Sequence, residues 1–368
     1  MGEDLLMGSM RRSLENGLKK KNGKSIKNSL RGFRKGLWPV LWLWVCMAFW
    51  MTGCAGIEKE GEKTSMRIGV SLYRGDDTFI NNIRGELEAC AKEYEQKSGI
   101  KVTLDIQDAK GSQNTQNNQV ERFISLGCDV LCINPVDRTA ASVVIDKAMA
   151  AQIPVVFFNR QPVDKDMDRW DQLYYVSAEA KESAVLQGSI LVDSYRENPQ
   201  LLDRDNDGVV SYVLLEGESS HQDSLIRTEW SIKTLKDGGV PIEKLTGGIA
   251  NWERSQASAL MEQWLEKYPD QIELVIGNND DMALGAIDAM DRAGISGICV
   301  VGIDGTIPGM EAIQSGKMMG TVSSNKEQYA QAIFAIAADK AMGKEIRPEI
   351  TLEDGKYYYC PQQIIRKK

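Results

Sequence analysis

The chain is 368 residues long, 42% hydrophobic and 26% charged. That balance excludes a disordered tail, a collagen-like repeat and a polytopic membrane protein, and it suffices for a two-domain globular body. The net charge of −8 is uneven: residues 1–53 carry ten Lys/Arg against three Asp/Glu, and the remainder 34 against 49. An acidic body repels the phosphates of nucleic acid, so no nucleic-acid partner is expected.

Basic residues from Arg11 to Lys35 precede an uncharged apolar run, Leu37–Met51. A basic stretch, a short apolar stretch and then small residues is the plan of a secretory signal. The run is shorter than the roughly 20 residues a membrane span needs. It closes on Met51-Thr52-Gly53-Cys54, which resembles a bacterial lipobox. The resemblance implies that residues 1–53 are a signal peptide, that Cys54 is diacylated, and that 54–66 tether a body held outside the cell membrane. An uncleaved anchor helix would place the body on the same side. Seven cysteines are too sparse for a disulfide scaffold. Beyond Cys54, the remaining Cys90, Cys128, Cys132, Cys299 and Cys360 are odd in number, and they are expected to be mostly buried free thiols.

From Met66 onward, strand and helix alternate. Arg67–Leu72 reads as an apolar strand, and Phe79–Lys97 as a helix with Ile80, Ile83, Leu87 and Ala91 at helical spacing. Strands Lys101–Ile106, Asp129–Asn134 and Pro154–Asn159 alternate with helices Gln116–Leu126 and Ala140–Ala151. A second series follows: strand Val209–Leu215, helix Ser224–Asp237, strand Thr246–Ala250, helix Arg254–Tyr268, strand Ile272–Ile276, helix Asp281–Arg292 and strand Cys299–Ile303. Near-continuous apolar strands separated by helices predict parallel sheets covered on both faces, here two doubly wound α/β units. No Gly-x-Gly-x-x-Gly turn, Walker-type loop or Gly-x-Ser-x-Gly elbow is present, so nucleotide and serine-hydrolase chemistry have no support.

In open α/β sheets, ligands lie beyond the carboxyl ends of the strands. The residues there are Tyr73, Asp77, Phe79 and Asn159 in the first unit. In the second they are His221, Asp223, Arg227, Trp252, Asn279 and Asp304. Carboxylates, amides and a guanidinium hydrogen-bond at fixed angles, and flat rings cover C–H faces. A sugar needs those groups, although composition alone reaches only a polar ligand in a cleft. Each residue also has a plainer role: Asp77 and Asp280 as helix caps, Asp223 with Arg227 as an ion pair on one helix, Trp252 and His221 as core.

Asp203, Asp205 and Asp207, with Gly208 following, match the start of a calcium loop. Position 12, where a bidentate Glu would stand, is Leu214, and the entering helix is missing, so this is no EF-hand. Either it is a metal-free acidic turn or a distant carboxylate completes it; Glu273 is a candidate.

Several segments together resemble the galactose/glucose-binding branch of the type I periplasmic binding proteins. They are Ile68–Phe79, Pro154–Asn159, Asp203–Ser211, Leu214–Arg227, Trp252, Ile276–Gly285 and Val301–Asp304. The resemblance covers 67–368 and implies two Rossmann-like lobes joined by a three-stranded hinge. It assigns 67–176 with 325–356 to one lobe and 177–324 with 357–368 to the other, with hinges near Val176, Ser324 and Tyr357. It implies no enzyme activity. A hexose would be held by Tyr73, Asp77, Asn159, His221, Asp223, Arg227, Asn279, Asp304 and Ser324, sandwiched between Phe79 and Trp252. Ser324 stands where the family has asparagine, with Asn325 one place along. Structural Ca2+ would be held by Asp203, Asp205, Asp207, the Val209 carbonyl, Ser211 and Glu273, with Ser211 replacing a longer amide. Lobe closure on D-galactose or D-glucose would present a monomeric, lipid-anchored protein to an ABC permease, or alternatively to a histidine kinase or chemoreceptor. Other readings are a pentose binder, a LacI-type regulator, for which the DNA-reading helices are missing, and a sugar-modifying enzyme using Asp77 and Asp304.

Overall fold

The computed structural model describes residues 63–367; the leader, the lipobox with Cys54 and most of the tether lie outside them. Two six-stranded sheets form the body. The first takes β1 (Ser65–Leu72), β2 (Lys101–Asp108), β3 (Val130–Ile133), β4 (Val155–Phe158), β5 (Leu173–Ala178) and β11 (Tyr357–Cys360), in the order β11-β5-β4-β3-β1-β2. The second takes β6 (Val210–Glu216), β7 (Ile242–Ile249), β8 (Leu274–Gly277), β9 (Cys299–Val301), β10 (Gly320–Ser324) and β12 (Gln362–Arg366), in the order β12-β10-β9-β8-β6-β7. All pairings are parallel except β10 with β12.

The helices cover both faces: α1 (Thr78–Ser98), α2 (Gln113–Ser125), α3 (Ala141–Ala151), the short α4 (Asp164–Met167), α5 (Ala180–Glu197), α6 (Gln222–Asp237), α7 (Arg254–Lys267), α8 (Asp280–Ala293), α9 (Ile307–Gln314) and α10 (Lys326–Ala341). The strands carry apolar residues on both faces because both faces are covered. On β3, Val130 and Cys132 join the core beneath α1 and α10, while Leu131 and Ile133 join the core beneath α2 and α3. On β8, Val275 and its neighbours Leu274 and Ile276 divide in the same way. The period of two along a strand sets this division.

The chain passes between the lobes three times, at Glu179, Asn325 and Pro361, each between a strand and an element of the other lobe. Two expected boundaries move. Residues 177 and 178 complete β5 in the first lobe, and Tyr357–Cys360 pairs with β5 rather than joining the second lobe. Tyr357 and Tyr359 set their rings 6.1 and 6.3 Å from that of Tyr175, an aromatic cluster that binds β11 to its neighbour. Pro361 then lacks the N–H that would continue the ladder, and the chain crosses there. The strand expected at Thr246–Ala250 is longer, starting at Ile242.

Cys128, Cys132, Cys299 and Cys360 are buried free thiols, and Cys90 is half-buried. Burial pushes the Cys128 thiol up to about 11 and that of Cys299 to about 12, so neither is a nucleophile at neutral pH.

Candidate functional site

In each sheet the strand order reverses beside the first strand of its unit, β1 or β6, so each leaves a crevice where the neighbouring loops diverge. The two crevices face one another. Tyr73, Asp77, Phe79 and Asn159 from the first lobe meet His221, Asp223, Arg227, Trp252, Asn279 and Asp304 from the second around one cavity. Ser324 lines an adjoining cavity that shares five of those walls.

Local structure seats each group. Asp77 caps α1, accepting from Ile80 N at 2.9 Å, and its other oxygen accepts from Tyr73 Oη at 2.5 Å. Capping and cavity lining are therefore one role, since a cap needs only one carboxylate oxygen. Asn279, rather than Asp280, caps α8, taking Met282 N at 2.9 Å while its amide donates to Trp252 O at 3.3 Å. Asp280 is fully buried instead and accepts from Thr306 N, Thr306 Oγ1 and Thr321 Oγ1. Arg227 donates to Asn278 O at 2.9 Å and lies 3.6 Å from both Asp223 and Asp304.

The Trp252 indole sits against Gly217, where a Cβ would come within 2.2 Å of the ring. A glycine at the end of β6 is what lets the ring lie there. Trp252 and His221 pack edge to face at 5.1 Å. Asn159, Trp252 and Asp304 all have positive φ, at 63°, 67° and 120°. Such backbone strain in residues with side chains concentrates where a site over-determines the geometry.

Charge and burial are balanced across the cavity. Burial pushes the Asp223 carboxyl up, and Arg227 partly offsets it. Burial raises Asp304 well above the usual range, with Arg227 opposing and Asp280, Asp77 and Asp281 adding. Burial, then the positive charges of Arg160, Arg227 and Arg138, hold His221 well below its ordinary value. Its Nδ1 accepts from Asp223 N at 3.1 Å, so the neutral ring carries its proton on Nε2. Three N–H groups of cavity-lining residues are buried without a partner: Arg160 Nε, Arg227 Nε and Trp252 Nε1.

Arg160 and Glu218 escape the sequence analysis. Their fork joins the two lobes, at 2.9 and 2.7 Å, and the Arg160 guanidinium also lies 3.7 Å from the Tyr73 ring centroid. Arg74 and Glu253 make a second bridge between lobes at 2.6 Å. Arg160 directly follows Asn159 at the end of β4, which was the one available signal.

Away from the cleft, the Asp203 turn closes on Glu273, which immediately precedes β8. Oxygens of Asp203, Asp205 and Glu273 lie within 4.8 Å of one another. Glu273 also accepts from the backbone N–H of Arg204, Asp205 and Ser211, and Asp203 from those of Asp207 and Gly208. The Asp207 carboxylate turns to Val209 N, outside the triad. An all-oxygen, triply acidic donor set fits a hard divalent cation.

Residues 68–345 match the model of a periplasmic binding protein domain. The chain is 36% identical to the D-galactose/methyl-galactoside binding periplasmic protein MglB of Haemophilus influenzae, over 76% of this chain and 82% of that one. It is 31% identical to a putative rhizopine-binding protein of Rhizobium meliloti, over 82% of this chain and 90% of that one. A solved ABC transporter solute-binding protein from Bacillus halodurans, with bound myo-inositol, superposes at a TM-score of 0.68 and 28% identity, covering 83% of this chain and 96% of that one. With two α/β lobes facing one cleft, the chain belongs to the periplasmic binding protein family, whose members bind solutes and do not transform them.

Proposed function

We propose that the protein captures a hexose, D-galactose or D-glucose, outside the cytoplasmic membrane and delivers it to an ABC importer. The observation that carries this reading is the set of three unpartnered N–H donors in a cavity flanked by Phe79 from one lobe and Trp252 from the other. A buried donor without an acceptor costs about 1–3 kcal/mol; ligand hydroxyls at Arg160, Arg227 and Trp252 would recover that cost. Carboxylates at Asp77, Asp223 and Asp304 accept hydroxyl protons, the amides of Asn159 and Asn279 and the Nε2–H of His221 complete the set, and the two rings cover the C–H faces. Because these groups come from both lobes, ligand stabilises the closed arrangement over the open one, and the crossings at Glu179, Asn325 and Pro361 are the hinge. The names of the Haemophilus influenzae relative and the sugar-like ligand of the Bacillus halodurans protein support the same class.

Lipidation of Cys54 would hold the protein on the membrane beside its permease, and the Asp203 turn with Glu273 would hold structural Ca2+ through oxygen ligands. Calorimetric titration of the full chain in detergent with galactose, glucose, ribose, xylose and myo-inositol tests the reading. Tight 1:1 binding of a hexose is expected. Binding of ribose or xylose with no heat from either hexose would overturn it.

A further inference from the structure

Both lobes carry the same device behind the cleft. Asn134 directly follows β3 and Asn278 directly follows β8, and both are fully buried. Asn134 N donates to Ser71 O and Asn278 N to Leu215 O, so each continues its parallel ladder by one residue. Each side chain then reaches across to the first residue beyond the neighbouring strand. Asn134 Oδ1 accepts from Tyr73 N at 3.3 Å, just past β1, and Asn278 Oδ1 accepts from Gly217 N at 3.2 Å, just past β6. Neither asparagine lines the cleft itself.

Beyond that shared bond the lobes differ. Asn278 Nδ2 is buried without a partner among the described residues, while its Oδ1 also meets the hydroxyls of Ser224 and Thr228 on α6. Asn134 Nδ2 is fully used: it donates to Phe158 O at 3.1 Å and to Asn159 Oδ1 at 3.2 Å. Two backbone groups fix which way this amide lies, because Tyr73 N can only donate and Phe158 O can only accept. Gln116 Nε2 holds the residue from behind, donating to Asn134 O at 2.9 Å. The orientation passes to the next amide. Asn134 offers Asn159 an N–H, so Asn159 must turn its oxygen to Asn134, and its own Nδ2 is the end left for the cavity that Asn159 lines. A freely rotating asparagine offers a hydroxyl either a donor or an acceptor; this one offers a donor.

We infer that Asn134 is a positioning residue for the ligand, holding Asn159 as a hydrogen-bond donor to the sugar; this rests on the sugar reading above. The same side chain seats Tyr73, whose hydroxyl donates to Asp77 at 2.5 Å, so one buried amide sets polar groups from two loops of the first lobe. Without it, Asn159 turns either end to the cavity, and binding must select the productive one.

The test is a double-mutant cycle read by calorimetric titration of the full chain in detergent, with whichever of glucose and galactose the wild type binds more tightly. Asn134→Asp keeps the acceptor for Tyr73 N and loses the donor to Asn159, and it is expected to weaken binding by about tenfold. Asn159→Gly removes the side chain that Asn134 holds and tolerates the φ of 63°. In that background Asn134→Asp should cost less than about threefold. Asn134→Leu, which brings no buried charge, replaces it in the cycle if the first variant folds poorly. Asn278→Leu is the control: it alters the matching device of the other lobe, and its cost should be the same in both backgrounds. A cost at Asn134 that is equal in the two backgrounds, or absent from both, overturns the inference and leaves the sugar reading intact. No heat from either hexose with the wild type overturns both.

Discussion

Arg160 and Glu218 meet as a two-bonded fork across the cleft, 2.7 and 2.9 Å apart, the arginine at the end of β4 and the glutamate just after β6. The pair links the two lobes, so on the closure proposed above its energy belongs to the closed state alone. Glu218→Gln keeps the shape and removes the charge. The expected result is a ligand Kd weakened by about tenfold, about 1.4 kcal/mol, with most of the change in the off-rate. Stopped-flow release kinetics would show it. An unchanged off-rate would mean that the pair contributes nothing to closure.

Glu273 reaches the Asp203 turn from the start of β8, tying a loop of the second lobe to its central strands. If Ca2+ occupies the triad, calcium at a hundred times its Kd adds about 2.7 kcal/mol to stability. Thermal unfolding in calcium and then in excess chelator should show a fall in Tm of about 4 °C. Glu273→Gln should melt low in both conditions. A wild-type Tm that ignores the chelator would identify a metal-free turn.

His221 is the sole histidine of the chain, so its imidazole gives an unambiguous nuclear magnetic resonance signal. Because burial and three arginines hold it well below its ordinary value, the ring should stay neutral, protonated on Nε2, as the pH falls through the ordinary imidazole value of about 6.5. The depressed value also means that the unfolded chain takes up a proton which the native chain refuses. His221 therefore subtracts stability as pH falls below about 6.5. A midpoint near 6.5 in the native spectrum would contradict the buried geometry.

Asp280 works in the opposite sense. Burial raises its carboxyl to about 6, against the hydrogen bonds from Thr321 and Thr306. The native chain holds a proton there that the unfolded chain has released. The stabilisation is complete below the unfolded value and is lost as pH rises through about 6, up to about 3 kcal/mol. Urea unfolding at about pH 4.5 and about pH 7.5 should show wild type losing roughly 2–3 kcal/mol more than Asp280→Asn, which keeps an acceptor for Thr306. Equal losses would assign the proton elsewhere.

The alternation of strand and helix was legible in the sequence because it is local. Ile80, Ile83 and Leu87 recur at helical spacing, and the runs around Val130 and Val155 are apolar on both faces because helices cover both. Strand ends also pointed to the cleft, and the sequence by itself named ten of the residues that line the main cavity, since a doubly wound sheet leaves its crevice at that edge. Tertiary structure decided what depends on partners distant in the chain. Arg160 and Glu218 are 58 residues apart, and neither advertises the other. Tyr357 reads equally well as a strand of either lobe until its ring meets Tyr175. Ser177, Ser324 and Gln362, from three separate crossings, come together beside the cleft. Periodicity records which face of an element is buried, but not which other element buries it; the cleft and its bridges are both of that second kind.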